Sequence, residues 1–179
     1  GFRVVLLSGL SNFNSSLQEL EECYRKYNHF HPLVSYQLGF HAEYTTSKPL
    51  LEGIAKLARD FQAPVFTHNS ETKGEVEGCL SRYGMTPTAL MDSLGMLQYG
   101  GGGYHCVEMT DGDLDIFQKR GMTVITNPAS NMKLASGVPR TADILARGIP
   151  MAIGTDGPAS NNCLDMFREM FLVTGLSKL

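Results

Sequence analysis

Histidines and one aspartate stand at the ends of predicted strands in this chain, where their side chains could form a single polar site. His68 follows one apolar run, His105 ends the next, and Asp156 ends the last. Imidazole and carboxylate ligands on a rigid scaffold suit zinc or a similar divalent ion. Such an ion lowers the pKa of a bound water and makes hydroxide available near neutral pH. An adjacent carboxylate can take the proton of that water and pass it to a leaving group.

These side chains depend on six predicted strands that alternate with helices. The strands are predicted at 2–7, 33–38, 64–67, 103–107, 122–126 and 151–154. The helices are predicted to begin at Ser16, Ser47, Thr72, Thr86, Asp111, Thr141 and Asn162. Strands alternating with helices indicate a parallel sheet, either doubly wound and open or part of a (β/α)8 barrel. Both architectures place function at the carboxyl ends of the strands.

Three of the five histidines share that end of the predicted sheet with Asp156, and each polar residue there also has a purely structural interpretation. A strand-end histidine is commonly just a hydrogen-bonded residue, and Asp156 could cap the following helix. Glu71 could complement a helix dipole, and Ser130 and Asn131 could be turn formers. The conjunction of these residues, rather than any single one, favours a metal site.

Two other motifs attract attention and are set aside. The four glycines at 100–103 precede a strand and no Lys-Ser/Thr follows them, so close backbone packing or room for a ligand explains them better than phosphate binding. His29 and His31 form an HxH pair, which on a strand would place both rings on one face. This pair precedes its strand, at the opposite end of the sheet from Asp156.

Composition excludes several classes of protein. The chain has 179 residues, 42% hydrophobic and 18% charged, which is typical of one globular domain. A net charge of −3 does not predict binding to nucleic acid or to an anionic membrane. No apolar run reaches the roughly 18 residues of a membrane span. The scattered cysteines, Cys23, Cys79, Cys106 and Cys163, predict a reducing, cytoplasmic location rather than a disulfide framework.

Five segments resemble the amidohydrolase superfamily, in its branch of methylthioadenosine/S-adenosylhomocysteine deaminases and related aminohydrolases. They are HAEYTTS (41–47), THNSETKGEVEG (67–78), GGGGYHCVEMT (100–110), TNPASNMKLASG (126–137) and AIGTDGPASNN (152–162). The resemblance implies an α/β fold, a partial (β/α)8 (TIM) barrel with about six βα units that correspond to strands three to eight. Guanine deaminases and triazine hydrolases look similar, so the segments specify the substrate less closely than the superfamily.

The resemblance also implies roles for individual residues. His68 and Asp156 would bind one divalent metal, with zinc expected and iron or manganese as alternatives. Asp156 would act as general base, His105 would contact the activated water or the substrate, and Glu71 would shuttle a proton to the substrate. Further substrate-binding residues would be His41, Asn127, Ser130, Asn131 and Ser160.

The implied activity is hydrolysis of carbon–nitrogen bonds, with deamination of an adenine-type nucleoside or related aromatic amidine by metal-activated water. In this family an HxH motif after strand one completes the metal site, so residues 1–179 are expected to be an incomplete barrel domain without strands one and two and without the flanking β-sandwich. Uncovered sheet edges then predict self-association. The alternatives are a catalytically incomplete fragment that has lost the metal, and an α/β module that binds a small molecule without metal.

Overall fold

The computed structural model describes residues 1–178, which form one parallel sheet with helices between its strands. The strands are β1 (Val4–Leu7), β2 (Val34–Ala42), β3 (Val65–Asn69), β4 (Gly101–His105), β5 (Met122–Thr126) and β6 (Met151–Ile153). Their spatial order is β1-β2-β3-β4-β5-β6, and each strand is parallel to the next. A doubly wound sheet reverses its order at a switch point, whereas a barrel adds strands in one direction. The fold is therefore a curled, partial TIM barrel, as predicted.

The helices confirm most of the predicted starts. They are α1 (Leu17–Tyr27), α2 (Lys48–Phe61), α3 (Lys73–Tyr83), α4 (Pro87–Ser93), α5 (Asp111–Arg120), α6 (Pro128–Lys133), α7 (Thr141–Ala146), α8 (Pro158–Asn161) and α9 (Met166–Leu176). Ser16, Thr72 and Thr86 each cap a helix with a side-chain oxygen that accepts a backbone N–H. The short helices α6 and α8 were not predicted, and α9 begins at Met166 rather than at Asn162.

The hydrophobic core lies between the sheet and the helices. In β3, Val65 and Thr67 are buried, while Phe66 and His68 are only partly buried. Because successive side chains of a strand point to opposite faces, Val65 packs toward the helices and His68 points to the inner face of the curl. The main core side chains opposite the strands come from α2 and α5, and include Leu51, Ile54, Leu114 and Phe117.

The glycine run at 100–103 is explained by close packing, as predicted. A β-carbon at Gly101 would lie 1.8 Å from the carbonyl oxygen of Val65, and Gly101 has a φ of +134°. A β-carbon at Gly103 would lie 2.7 Å from Cys106 Sγ. Strand β4 begins at Gly101, two residues before the predicted start. It ends at His105 rather than at 107, because His105 and Cys106 turn away with φ values of +67° and +51°.

Apolar side chains are exposed at both edges of the sheet. Phe2, just before β1, is 92% exposed, and Val5, within β1, is 53% exposed. Near the other edge, Phe167 and Phe171 of α9 are 82% and 79% exposed. Within residues 1–178, no helix is long and apolar enough to cross a membrane.

Candidate metal centre

His68 is held at the end of β3 with one ring nitrogen free to bind a metal. Its Nδ1 lies 2.6 Å from the carbonyl oxygen of His41. A carbonyl only accepts hydrogen bonds, so Nδ1 carries the proton and Nε2 keeps its lone pair. Burial lowers the pKa of His68, which favours the neutral imidazole that a metal requires. Carbonyl-anchored histidines of this kind are common in metal sites.

His105 ends β4 and is almost completely buried, at 1% exposed. Its Nδ1 lies 2.7 Å from Asn131 Oδ1, and its Nε2 lies 3.3 Å from Asn127 Nδ2. Both amides come from the segment that follows β5, so neighbouring strand ends orient this ring. The left-handed backbone at His105 is unusual for a residue other than glycine, and such strain is concentrated at functional sites.

Asp156 follows β6 and is fixed by two serines. Its Oδ2 accepts hydrogen bonds from Ser130 Oγ at 2.7 Å and from Ser160 Oγ at 2.5 Å. Partial burial acts to raise the pKa of Asp156, but the hydrogen bonds from Ser160 and Ser130 outweigh it and the pKa is lowered. Asp156 is therefore an ionised carboxylate at neutral pH. Its φ of +58° is again left-handed.

These three residues converge. The ligand atoms of His68, His105 and Asp156 lie within 4.8 Å of one another. Two ligands that each lie about 2.1 Å from one ion are at most about 4 Å apart, so small side-chain movements suffice to bind a divalent metal here. The Nε2 of His68 and a carboxylate oxygen of Asp156 are donors that zinc accepts, and His105 lies close enough to contact a water on the same ion. The residues present therefore fit a divalent metal ion.

Glu71 stands beside the metal-ligating cluster. Its Oε1 accepts a hydrogen bond from Ser136 Oγ at 2.9 Å and lies 3.7 Å from His105 Nδ1. Glu71 precedes the N-cap residue Thr72, and the acid in the first turn of α3 is Glu75. The carboxylate of Glu75 accepts the backbone N–H groups of Ser70 and Glu71, at 2.9 and 2.7 Å. The helix-dipole interpretation therefore applies to Glu75, and Glu71 is left facing the site.

The remaining predicted site residues also lie at the cluster. The ring centroid of His41 is 4.9 Å from that of His68, and its Nδ1 lies 2.9 Å from Thr45 Oγ1. Asn127 and Asn131 contact His105, and Ser130 and Ser160 contact Asp156, as described above. All the residues singled out from the sequence thus come together at the carboxyl ends of the strands.

Sequence reasoning missed three supporting residues. They are Ser136, Glu75 and Glu169, which hold Glu71, the segment between β3 and α3, and the segment after β5, respectively. Glu75 follows the N-cap residue Thr72 at the spacing of a first-turn acid, and this signal could have identified it. Ser136 and Glu169 have no comparable local pattern.

Other polar surfaces do not share this geometry. His31 Nδ1 accepts the backbone N–H of Leu33 at 3.1 Å, which stabilises a turn before β2. Across residues 1–178, His68, His105 and Asp156 are the group of three or more ligand side chains close enough to hold an ion. A cavity of about 570 Å³ is lined by residues of α3 and of the segments after β4 and α6, and none of the predicted site residues lines it.

Comparison with known proteins decides the family. The model of the amidohydrolase family matches residues 1–178. The chain belongs to the amidohydrolase family. This amidohydrolase chain is 41% identical over 180 residues to a 5-methylthioadenosine/S-adenosylhomocysteine deaminase of Pyrococcus furiosus. It is 37% identical over 185 residues to a 5'-deoxyadenosine deaminase of Methanopyrus kandleri.

A solved structure extends the likeness to three dimensions. The zinc-bound adenosine deaminase of Xanthomonas campestris superimposes with a TM-score of 0.85 at 33% identity, covering 97% of this amidohydrolase chain and 40% of that protein. The chain is covered completely by its matches to the Pyrococcus and Methanopyrus relatives but spans only 43% of the length of each. The chain therefore shares the amidohydrolase fold with these proteins over less than half of their length.

Proposed function

We propose that this chain carries the metal-binding half of an active site that hydrolytically deaminates an adenine-type nucleoside. The observation that carries the proposal is the convergence of His68, His105 and Asp156 beside Glu71, at the carboxyl ends of the strands. The names of the Pyrococcus and Methanopyrus relatives support adenine nucleosides as the substrate class. The bound zinc of the Xanthomonas structure supports zinc as the metal.

A divalent ion at this site would lower the pKa of a water molecule and supply a nucleophile near neutral pH. Asp156, fixed by Ser130 and Ser160, would take one proton of that water and give it to the amino group, which leaves as ammonia. Glu71, held by Ser136, would carry the second proton of the water to the ring nitrogen next to the carbon under attack, so that the oxygen remains as the carbonyl of the product. His105, held by Asn127 and Asn131, would orient the water.

We propose further that residues 1–179 supply strands three to eight of an eight-stranded barrel. The one-directional strand order and the 43% coverage of the relatives support this assignment. The exposed apolar side chains at the edges, such as Val5 of β1, are those that two more strands would cover. An HxH motif on the first of these strands would supply the remaining metal ligands.

Sedimentation tests the barrel assignment. The 179-residue segment alone is expected to self-associate through its uncovered edges, and a longer chain that restores two strands is expected to sediment as a defined species. A clean monomer of the 179-residue segment would contradict the assignment.

Ammonia release by the full-length protein tests the activity. The full-length protein is expected to release ammonia from 5'-deoxyadenosine or methylthioadenosine and to lose this activity on chelation. Glu71→Gln, which preserves shape but cannot shuttle a proton, is expected to lower kcat by about 10²–10⁴-fold. Saturable nucleoside binding without ammonia release would instead identify a binding module and overturn the proposal.

A further inference from the structure

Helix α9 is attached to the barrel by the hydrogen bonds of a buried glutamate, Glu169. Glu169 is 0% exposed, and it is the one buried residue of α9, all of whose residues are described. Its neighbours on the helix, Phe167 and Phe171, are largely exposed. A helix that packs normally buries an apolar stripe and keeps its carboxylates in water. A buried carboxylate in this position therefore calls for a specific explanation.

The contacts of Glu169 lead to two separate segments. Its Oε2 accepts the backbone N–H of Ala129 at 2.9 Å, in the segment after β5. Its Oε1 accepts Asn161 Nδ2 at 2.8 Å, in the segment after β6. Asn161 Nδ2 also donates to the carbonyl oxygen of Thr155 at 2.6 Å. One carboxylate thus joins the segments that follow two neighbouring strands.

Each of the three residues in this network is the chain neighbour of a residue at the metal centre. Ala129 precedes Ser130, Thr155 precedes Asp156, and Asn161 follows Ser160. The residues Ser130, Asp156 and Ser160 form the hydrogen-bonded group that fixes the carboxylate of Asp156. Glu169 therefore fixes the backbone next to this group through its hydrogen bonds to Ala129 and Asn161.

We propose that Glu169 is a positioning residue that sets the geometry of Asp156 through Ala129, Asn161 and Thr155. The inference rests on the proposed function, because it takes Asp156 to be a metal ligand. Glu169 does not touch the metal centre itself. It keeps the two serine hydroxyls and the carboxylate in register, so that Asp156 stays correctly aimed without reorganising when a ligand binds.

The isosteric variant Glu169→Gln tests this in the full-length protein. The carboxamide retains one acceptor, but its NH2 group opposes a donor, either Asn161 Nδ2 or the Ala129 N–H. Zinc affinity, measured by competition with a chelator, is expected to fall about tenfold, the lower end for residues that support metal ligands. Glu77→Gln, an exposed change on α3, is the matched control and is expected to leave zinc affinity unchanged.

A compensating second change distinguishes positioning from general stability. Asn161→Asp alone places two carboxylates together and is expected to weaken zinc binding. In the double variant with Glu169→Gln, the new amide donates to the new carboxylate while its carbonyl accepts from Ala129. Because the contact of residue 161 with the Thr155 carbonyl is lost in both Asn161→Asp proteins, the zinc affinity of the double variant is expected to exceed that of Asn161→Asp alone, and the two losses are expected to be less than additive in a double-mutant cycle.

Amide hydrogen exchange separates this inference from the proposed function. Faster exchange at Ala129 and at 155–161 in Glu169→Gln, with weaker zinc binding, supports the inference. An unfolding temperature that falls while zinc affinity and this exchange stay at wild-type values would overturn it. If the wild-type protein binds no zinc, the proposed function fails, and the exchange rates alone decide whether Glu169 holds the two segments.

Discussion

The two clusters of histidine in this chain have the same side chains but different surroundings. His68 and His105 lie at the carboxyl ends of β3 and β4, where two further strands bring Asn127, Asn131 and Asp156 against them. His29 and His31 precede β2, and His31 Nδ1 is occupied by a local turn contact with Leu33. Parallel strands all end at the same edge of the sheet, so the residues that follow them assemble into one ligand set. His29 and His31 lie before a strand, at the opposite edge, and have no such neighbours among the described residues.

Removing a ligand from the strand-end cluster should produce the largest effect. His68→Asn eliminates the ring whose Nε2 faces the cluster, and zinc affinity of the full-length protein is expected to fall at least about a hundredfold, since even supporting partners account for 10–100-fold. His31→Asn is the control from the other cluster and should leave zinc affinity unchanged. Equal losses in the two variants, measured by chelator competition, would erase the distinction between the clusters.

The carboxylate of Asp156 should matter for turnover as well as for metal binding, so its variant is assayed at saturating zinc. Asp156→Asn keeps the hydrogen bonds of Ser130 and Ser160 possible but removes the base, and kcat is expected to fall by about 10²–10⁴-fold. Asp60→Asn, an exposed acid paired with Lys56 on α2, serves as the control. A kcat of Asp156→Asn within threefold of wild type would contradict the role of Asp156 as the proton acceptor.

Gly154, which follows β6, lies so close to Asn127 that this position should not tolerate a side chain. A β-carbon at Gly154 would lie 2.4 Å from Asn127 Oδ1, whereas one at Gly157 would meet nothing within 4 Å. Gly154→Ala is expected to lower the free energy of unfolding by about 1–3 kcal/mol, the usual cost of overpacking, and to displace Asn127 from His105. Denaturant titration should show no comparable loss for Gly157→Ala, and equal effects would rule out the packing explanation.

Loss of one serine hydroxyl should give the smallest effect. Ser130→Ala leaves Asp156 with the hydrogen bond of Ser160, so zinc affinity is expected to weaken by about tenfold or less. Its control is Ser81→Ala, an exposed position on α3. Zinc affinity unchanged from wild type in Ser130→Ala would show that the second serine is sufficient.

The sequence predicted the number and order of the strands well because their signals are local, but not every strand end, since β2 continues to Ala42 rather than ending at Leu38. Helix α5 and strand β5 have the predicted bounds, since alternation, capping residues and a terminal glycine mark them. Helix α6 was missed because Asn127-Pro-Ala-Ser has the composition of a turn, although Pro128 at a first helical position also starts a helix. Once the sheet is parallel, strand-end polar residues must share one edge, which is why His68, His105 and Asp156 were identifiable.

The supporting contacts were not predictable for the opposite reason. Ser136 reaches Glu71 across 65 residues of sequence, and Glu169 reaches Ala129 across 40. Neither pair has a spacing that periodicity can detect, because each is created by the packing of segments that follow different strands. A serine or a glutamate does not by itself predict such a contact, since serine is common in loops and glutamate is common on helix surfaces.

The metal content of the purified full-length protein, measured by plasma mass spectrometry after dialysis without chelator, tests the central claim most directly. The account predicts close to one divalent ion per chain, with zinc expected, and a loss of that ion in His68→Asn but not in His31→Asn. A metal-free wild-type protein, or the same metal content in all three proteins, would contradict the assignment of this edge of the sheet as a metal centre.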